Sequence, residues 1–301
     1  MSYNKEDIAL IFQTHFHESV VSIKQIKGGA MTFKYDVSLP KQKYIIKIYP
    51  PSRAFVASKE FDILNKAAAY TIKIPRVCFT GKIQKGSCLI YEKIPGHVLN
   101  FSVLGSKDKE RISMQIAENF SGLRQVQFEG YGSLTEDEPQ FDTWKAFLSH
   151  NIKHGINNLK KAGVLENIQV EAIHNYLQQC LESLPSSPDG IVWSDMSQEN
   201  IIIRNKELAG FIDFEGCFYG DQLLSLGYLF AREGESDFFT HIEKQLQPYI
   251  NTEKSYIYFY AFLRLLRISQ YLSEPLPNGR KRIPIFEYFK GIRLALDEIK
   301  N

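Results

Sequence analysis

Polar and apolar positions divide the chain in two. Val20 to Lys27 is followed by Gly28-Gly29, then by Thr32 to Leu39, where apolar and polar residues alternate. Pro40-Lys41-Gln42-Lys43 reads as a turn and Tyr44 to Tyr49 as a β-prone run, so this stretch predicts a β-meander. Pro50-Pro51 ends it. Ser52 to Tyr70 predicts a helix, with Phe55, Phe61 and Leu64 at roughly i, i+3 spacing. Two further strands, Arg76–Phe79 and Cys88–Glu92, precede the break at Pro95-Gly96. Beyond it the period becomes helical, over Ser106 to Gln127, Thr143 to Ala162, Val170 to Ser183, Leu223 to Arg232, Glu253 to Leu272 and Ile285 to Lys300. One strand-like island interrupts the helices, at Ile191–Trp193, Asn200–Arg204 and Leu208–Asp213. The pattern predicts an α+β chain: a small β-rich lobe over residues 1–94, a larger, mainly helical lobe over 95–301, and a cleft between them suited to a small molecule.

Composition changes this picture little. Of 301 residues, 44% are hydrophobic and 23% charged, which excludes disorder as the main state. The formal net charge of +2 gives no support to nucleic-acid binding. No apolar run approaches the roughly 18–20 residues needed to span a bilayer. The first residues lack the pattern of a signal peptide, so a cytoplasmic location and no membrane contact are expected. Cys78, Cys88, Cys180 and Cys217 form no CxxC pair and are expected to be free thiols. The charge is unevenly placed. Residues 1–95 hold 15 basic and 7 acidic side chains, a balance of +8, while the remaining 206 hold 21 and 27, a balance of −6.

The densest polar cluster is Trp193-Ser194-Asp195-Met196-Ser197-Gln198-Glu199-Asn200, followed by Ile201-Ile202-Ile203 and, after Asn200 by thirteen positions, Asp213-Phe214-Glu215. Apolar strands run up to these polar residues and present them at strand ends. Asp195 is placed to orient a hydroxyl and accept its proton. Asn200 and Asp213 offer the oxygen ligands that Mg²⁺ prefers. The set suits phosphoryl transfer, where catalysis is mainly positioning and charge neutralisation.

The run Asp195-x4-Asn200-x12-Asp213-Phe214-Glu215 resembles the catalytic core of the aminoglycoside phosphotransferase and choline kinase family, relatives of the protein kinases. The resemblance extends over roughly residues 20 to 230. It implies a two-lobed protein kinase-like fold, a Mg²⁺-bound nucleotide (ATP or GTP), and a small-molecule acceptor phosphorylated on a hydroxyl. By position, Asp195 is the implied catalytic base, and Asn200 and Asp213 the implied metal ligands. Lys47 matches the strand lysine that grips the α- and β-phosphates, with Glu60 as its partner. Gly28-Gly29 matches the loop over the phosphates. Glu92 and Ile94 fall where the hinge backbone would meet the adenine, and Gly130-Tyr131-Gly132 and Trp144 where the substrate half begins. The apolar flanks of Lys47 suggest a strand buried on both sides, in which an ammonium needs a partner.

Two positions depart from the family pattern. Trp193 stands where the catalytic loop usually has histidine; an indole can pack and donate one N–H. After Gly220-Asp221, Ser225 stands where a second aspartate is usual, leaving Asp221 as the expected brace of the loop. These departures motivate an alternative, a nucleotide-binding pseudokinase or regulatory module without acceptor turnover. A peptide kinase is disfavoured by the lack of an Ala-Pro-Glu signature. The charge split suggests a basic lobe steering the nucleotide and an acidic lobe favouring a cationic acceptor, an aminoglycoside, amino sugar or amino alcohol, with Glu199, Glu215, Glu233, Glu235 and Asp237 near the site. The tail from Pro275, with six basic residues against three acidic ones, argues against the aminoglycoside. The aromatic stripe at 256–262 is expected to be core, with a cation–π cage as the other use.

Overall fold

The computed structural model describes residues 3–27, 31–84, 86–134, 140–163, 165–184, 189–269 and 290–299. The first helix, α1 (Lys5–Phe16), is absent from the sequence expectation. Asn4 caps it by accepting from the Glu6 N–H at 3.1 Å, and Ile8 and Phe12 bury one stripe against the sheet behind it. The meander forms as expected: β1 (Ser22–Ile26), β2 (Phe33–Ser38), β3 (Lys43–Tyr49), then β4 (Val77–Ile83) and β5 (Gly86–Glu92), in the antiparallel order β1-β2-β3-β5-β4. Gly28 and Gly29 lie outside the described residues.

Strand alternation decides where chemistry can sit. On β3, Ile46 and Ile48 face α1, while Ile45 and Tyr49 face the other side and join the main core. Lys47 shares that second face with no exposure at all. Helix α2 (Phe55–Ala67) closes it with Val56, Ala57, Glu60, Ile63, Leu64 and Ala67. Its buried face is therefore rotated from the predicted one: Phe55 and Phe61 are only half-buried, and Glu60 sits in the middle of the apolar stripe.

The chain leaves β5 at Pro95-Gly96 and enters β6 (His97–Val98), which pairs with β10 (Ile201–Arg204). Gly96 has φ +141°, and a Cβ there would run into the Ile203 carbonyl oxygen. Gly96→Ala is expected to cost about 1–3 kcal/mol, read from the urea midpoint. A variant indistinguishable from wild type would remove this requirement.

The remainder is mainly helical: α3 (Ser106–Gly122), α4 (Trp144–Ala162), α5 (Asn167–Ser183), α6 (Leu223–Glu233), α7 (Asp237–Leu246), α8 (Lys254–Ser269) and α9 (Lys290–Glu298). The helix α7, capped by Ser236 on the Phe239 N–H at 3.1 Å, is a second element the sequence expectation lacked. α6 is buried from Leu223 to Ala231 and packs on α8. The aromatic stripe on α8 is core: Phe259, Tyr260 and Phe262 are fully buried. The strand island appears as β9 (Asp189–Val192), β10 and β11 (Glu207–Phe211), and β12 (Phe218–Asp221) adds a strand between β9 and β7 (Tyr131–Gly132), whose other neighbour is β8 (Gln140–Phe141). One hydrophobic cluster runs from the α2 face of the first sheet through the helices, so the two halves share a core. Among the described residues no helix is long and apolar enough to cross a membrane. The cysteines are free thiols; Cys78 is exposed and the other three are buried.

Candidate active site

Two loop segments are laced together at the ends of β9, β10 and β11. The Ile212 N–H donates to the Asn200 carbonyl at 2.9 Å. The Ser194 hydroxyl donates to the Gly216 carbonyl at 2.7 Å. The Trp193 indole N–H donates to the Asp213 carbonyl at 3.3 Å, and its ring stacks on Phe211 at 4.3 Å between centroids. Trp193 is completely buried, so the indole both packs under the loop and ties it down. These bonds bring Asp195, Asn200 and Asp213 to one place. Asn200 donates its amide N–H to the Asp195 carboxylate at 2.7 Å and to its carbonyl at 2.9 Å, which turns the amide oxygen the other way.

Asp213 holds a left-handed backbone, φ +68°, unusual for a residue with a side chain. Its Oδ1 lies 3.0 Å from the Lys47 ammonium and its Oδ2 2.6 Å from that of Lys34. Burial would raise its carboxyl, but Lys47 and Lys34 outweigh that and hold it well below the usual aspartate range. Lys47 lies 2.7 Å from Glu60 and 3.2 Å from Glu215. Burial alone would lower its pKa; Asp213 and Glu60 overcome this and keep the ammonium charged. Glu60 is fixed in turn by the Phe214 N–H at 3.0 Å and by the Tyr49 hydroxyl.

Asp195 is the most open member, with 43% of its side chain exposed. Arg232 approaches it to 3.7 Å and pairs with Glu199 at 2.9 Å. Surrounding protein raises the Asp195 carboxyl above its ordinary value; Arg264 and Arg232 oppose the rise.

Four of the expected residues thus meet around Lys47 and Asp213, and Asp195 joins them through Asn200. The pair expected at the hinge, Glu92 and Ile94, is more constrained. The Glu92 N–H already donates to the Arg76 carbonyl at 2.9 Å, so a bound base would have to use the Glu92 carbonyl. Asp221 accepts from the Leu223 N–H at 2.9 Å and from the Tyr260 hydroxyl at 2.5 Å. Tyr260 accepts the Trp144 N–H at 3.0 Å, and the Trp144 ring lies against Gly220 so closely that a Cβ there would clash. Trp144 and the Gly220-Asp221 pair are therefore one packing unit. Ser225 is fully buried within α6.

Sequence reasoning missed Lys34, Arg232 and Arg264. Lys34 was detectable: it stands directly opposite Lys47 in the β2–β3 register, so the two ammoniums emerge on one face. The two arginines carry no such local signal, because only the packing of α6 and α8 brings them to Asp195.

The donors expected for a metal are hard oxygens, though both Asp213 oxygens face lysine ammoniums. Asn200 presents an amide oxygen and Asp213 a carboxylate, both hard ligands of the kind Mg²⁺ takes.

The family model for the phosphotransferase enzyme family matches residues 22–251. No curated protein matches the chain. It superposes on a thermostable mutant of the aminoglycoside phosphotransferase APH(4)-Ia in ternary complex with AMP-PNP and hygromycin B, with a TM-score of 0.72 and 15% identity over 98% of this chain and 97% of that one. A putative fructosamine-3-kinase from Haemophilus somnus 129PT gives 0.69 at 19% identity, covering 99% and 98%. The streptomycin–ATP–APH(2″)-IIa ternary complex gives 0.66 at 18% identity, covering 99% and 97%. At these identities the likeness is one of fold: the two-lobed, protein kinase-like architecture expected from the sequence.

Proposed function

We infer the activity from one premise: the chain belongs to the phosphotransferase enzyme family. We propose that it moves the γ-phosphate of a Mg²⁺-bound nucleotide, ATP or GTP, to a hydroxyl of a small molecule. The convergence of Asp195, Asn200 and Asp213 beside a buried Lys47–Glu60 pair carries this reading, since phosphoryl transfer demands positioning and charge neutralisation rather than a covalent nucleophile. Residues 1–94 are proposed as the nucleotide lobe and 95–301 as the catalytic and acceptor lobe, in the cytoplasm.

In this reading Asp195 orients the acceptor hydroxyl and takes its proton. Lys47, aimed by Glu60, contacts the nucleotide phosphates, and Lys34 brings a second positive charge to the same face. Asn200 and Asp213 would hold Mg²⁺, which when bound neutralises phosphate charge. For that, Asp213 must exchange at least one of its lysine contacts for the ion. The Glu92 carbonyl and the Ile94 N–H are the proposed adenine contacts, and Gly28-Gly29 the loop over the phosphates. The alternative of a nucleotide-binding module without turnover rested on Trp193 and Ser225. Trp193 supports the loop as the usual histidine would, which favours the active reading.

The acceptor expected from sequence was an aminoglycoside, amino sugar or amino alcohol. Hygromycin B and streptomycin in the complexes of the similar proteins support it. The acids invoked for it, however, are engaged: Glu199 by Arg232, Glu215 by Lys47, Glu235 by Lys254 at 3.0 Å, and Asp237 by Lys109 at 2.6 Å. Glu233 accepts from the Ser236 hydroxyl at 2.8 Å.

The raised Asp195 carboxyl tests the base assignment. A base works only when ionised, so the rate must rise with pH through the folded value of that group. A pH–rate profile should show an acid limb with a midpoint above the ordinary aspartate value of about 3.9. A midpoint at or below that value contradicts the role.

A further inference from the structure

A pocket of about 490 Å³ opens beside the segment that follows Asp213, between the start of α2, the 215–218 segment, α4 and α8. Its volume lies in the small-molecule range. Met31, at the described end of the loop over the phosphates, is part of its wall, as are Glu215 and Gly216 just beyond Asp213. Phe141, Phe147 and Phe218 supply an apolar surface.

Its charge is lopsided. Arg53, Lys59 and Arg267 line it, and Glu215 is the one carboxylate among the described residues that line it. The two oxygens of Glu215 already face cations, Lys47 at 3.2 Å and Arg53 at 3.4 Å. Arg267 stacks its guanidinium 4.5 Å from the centroid of the Phe218 ring. Its Nη1 is buried and has no hydrogen-bond partner among the described residues. A donor in that state is costly unless a ligand completes it. One helical turn earlier on α8, Arg264 acts on Asp195, which Arg232 also approaches. Among the described residues, cations thus stand both on the pocket wall and beside the catalytic base, and the pocket's Glu215 is already paired.

We infer that the acceptor carries an anionic group, a carboxylate or a phosphate, which seats against Arg267 while its hydroxyl reaches Asp195. The guanidinium fork suits both oxyanions, and the phenylalanines cover the body of the molecule. Among the described residues of the pocket wall an amine would meet cations and one carboxylate, Glu215, already held by two of them. The inference rests on the phosphotransferase reading and reverses the charge expected of the acceptor.

The test is thermal unfolding of the full chain at fixed ionic strength, with and without saturating Mg²⁺ and AMP-PNP. The probes are gluconate, glucose 6-phosphate, glucose and glucosamine. Gluconate or glucose 6-phosphate should raise the wild-type Tm by about 2 °C or more at saturation, glucose and glucosamine by less. In Arg267→Gln the anionic probe should need at least about tenfold more ligand for the same shift, and Arg267→Lys should recover part of it. A larger shift from glucosamine, no shift from either anion, or an unchanged anion response in Arg267→Gln overturns the assignment. If Arg267→Gln does not fold, the wild-type ranking alone decides. Failure of Mg²⁺ and AMP-PNP to shift the wild type tells instead against the phosphotransferase reading, and the anion ranking is then taken without nucleotide.

Discussion

Replacing Asp195 with asparagine is expected to lower acceptor-stimulated nucleotide turnover by about 10²–10⁴-fold, the range a positioned general base contributes. The substitution preserves shape and the bond partner of Asn200 but removes the carboxylate that takes the proton. Little stability should be lost, because 43% of the Asp195 side chain is exposed and its nearest cation stands 3.7 Å away. The loss should therefore fall on kcat, with nucleotide affinity near wild type. Turnover measured over a panel of hydroxylated amines, sugars and hydroxy acids checks it. A variant retaining more than about a tenth of wild-type kcat would place the base elsewhere.

Lys47→Met is expected to be the most damaging substitution for stability. The ammonium is fully buried and serves three carboxylates, Glu60, Asp213 and Glu215. Removing one partner of a buried ion pair leaves charge without compensation, at a cost of about 3–5 kcal/mol. Two features hold the cost toward the lower end: Glu60 keeps the Phe214 N–H, and Asp213 keeps Lys34. Denaturant unfolding should show a loss of about 3 kcal/mol. The double variant Lys47→Met with Glu60→Leu should recover part of it, because it removes the stranded carboxylate too. A single variant within about 1 kcal/mol of wild type would mean the pair is dispensable to the fold.

Much of this was legible in the chain itself. Turn residues between β-prone runs located β1, β2, β3 and β5, because turn chemistry is local. Asp195, Asn200 and Asp213 were legible because the apolar strands ending at them are short and adjacent in sequence. Burial of Lys47 on both sides was also legible, but not its cause. On the Ile46–Ile48 side of β3 that cause is α1, whose Ile8, Phe12 and Phe16 recur every four residues behind an Asn4 cap, a helical signal outweighed by the strand pattern that follows; on the Lys47 side it is α2. The rotation of α2 was hidden for a different reason: a buried glutamate interrupts its apolar face, and only the lysine across from it explains why. The cationic setting of Asp195 could not be read at all. Arg232 and Arg264 lie far along the chain from it and reach it through the packing of α6 on α8. The overall division into a basic first third and an acidic remainder does not register two arginines placed singly beside the site.

In the proposed mechanism Asp213 and Asp195 divide the work, one holding the Mg²⁺–nucleotide and the other activating the acceptor. Calorimetric titration of AMP-PNP, with and without Mg²⁺, into wild type, Asp195→Asn and Asp213→Asn tests it directly. The account predicts Mg²⁺-dependent binding at near wild-type affinity in Asp195→Asn and at least about tenfold weaker binding in Asp213→Asn. Equal binding of the Mg²⁺–nucleotide by the two variants, or wild-type binding indifferent to Mg²⁺, would contradict it.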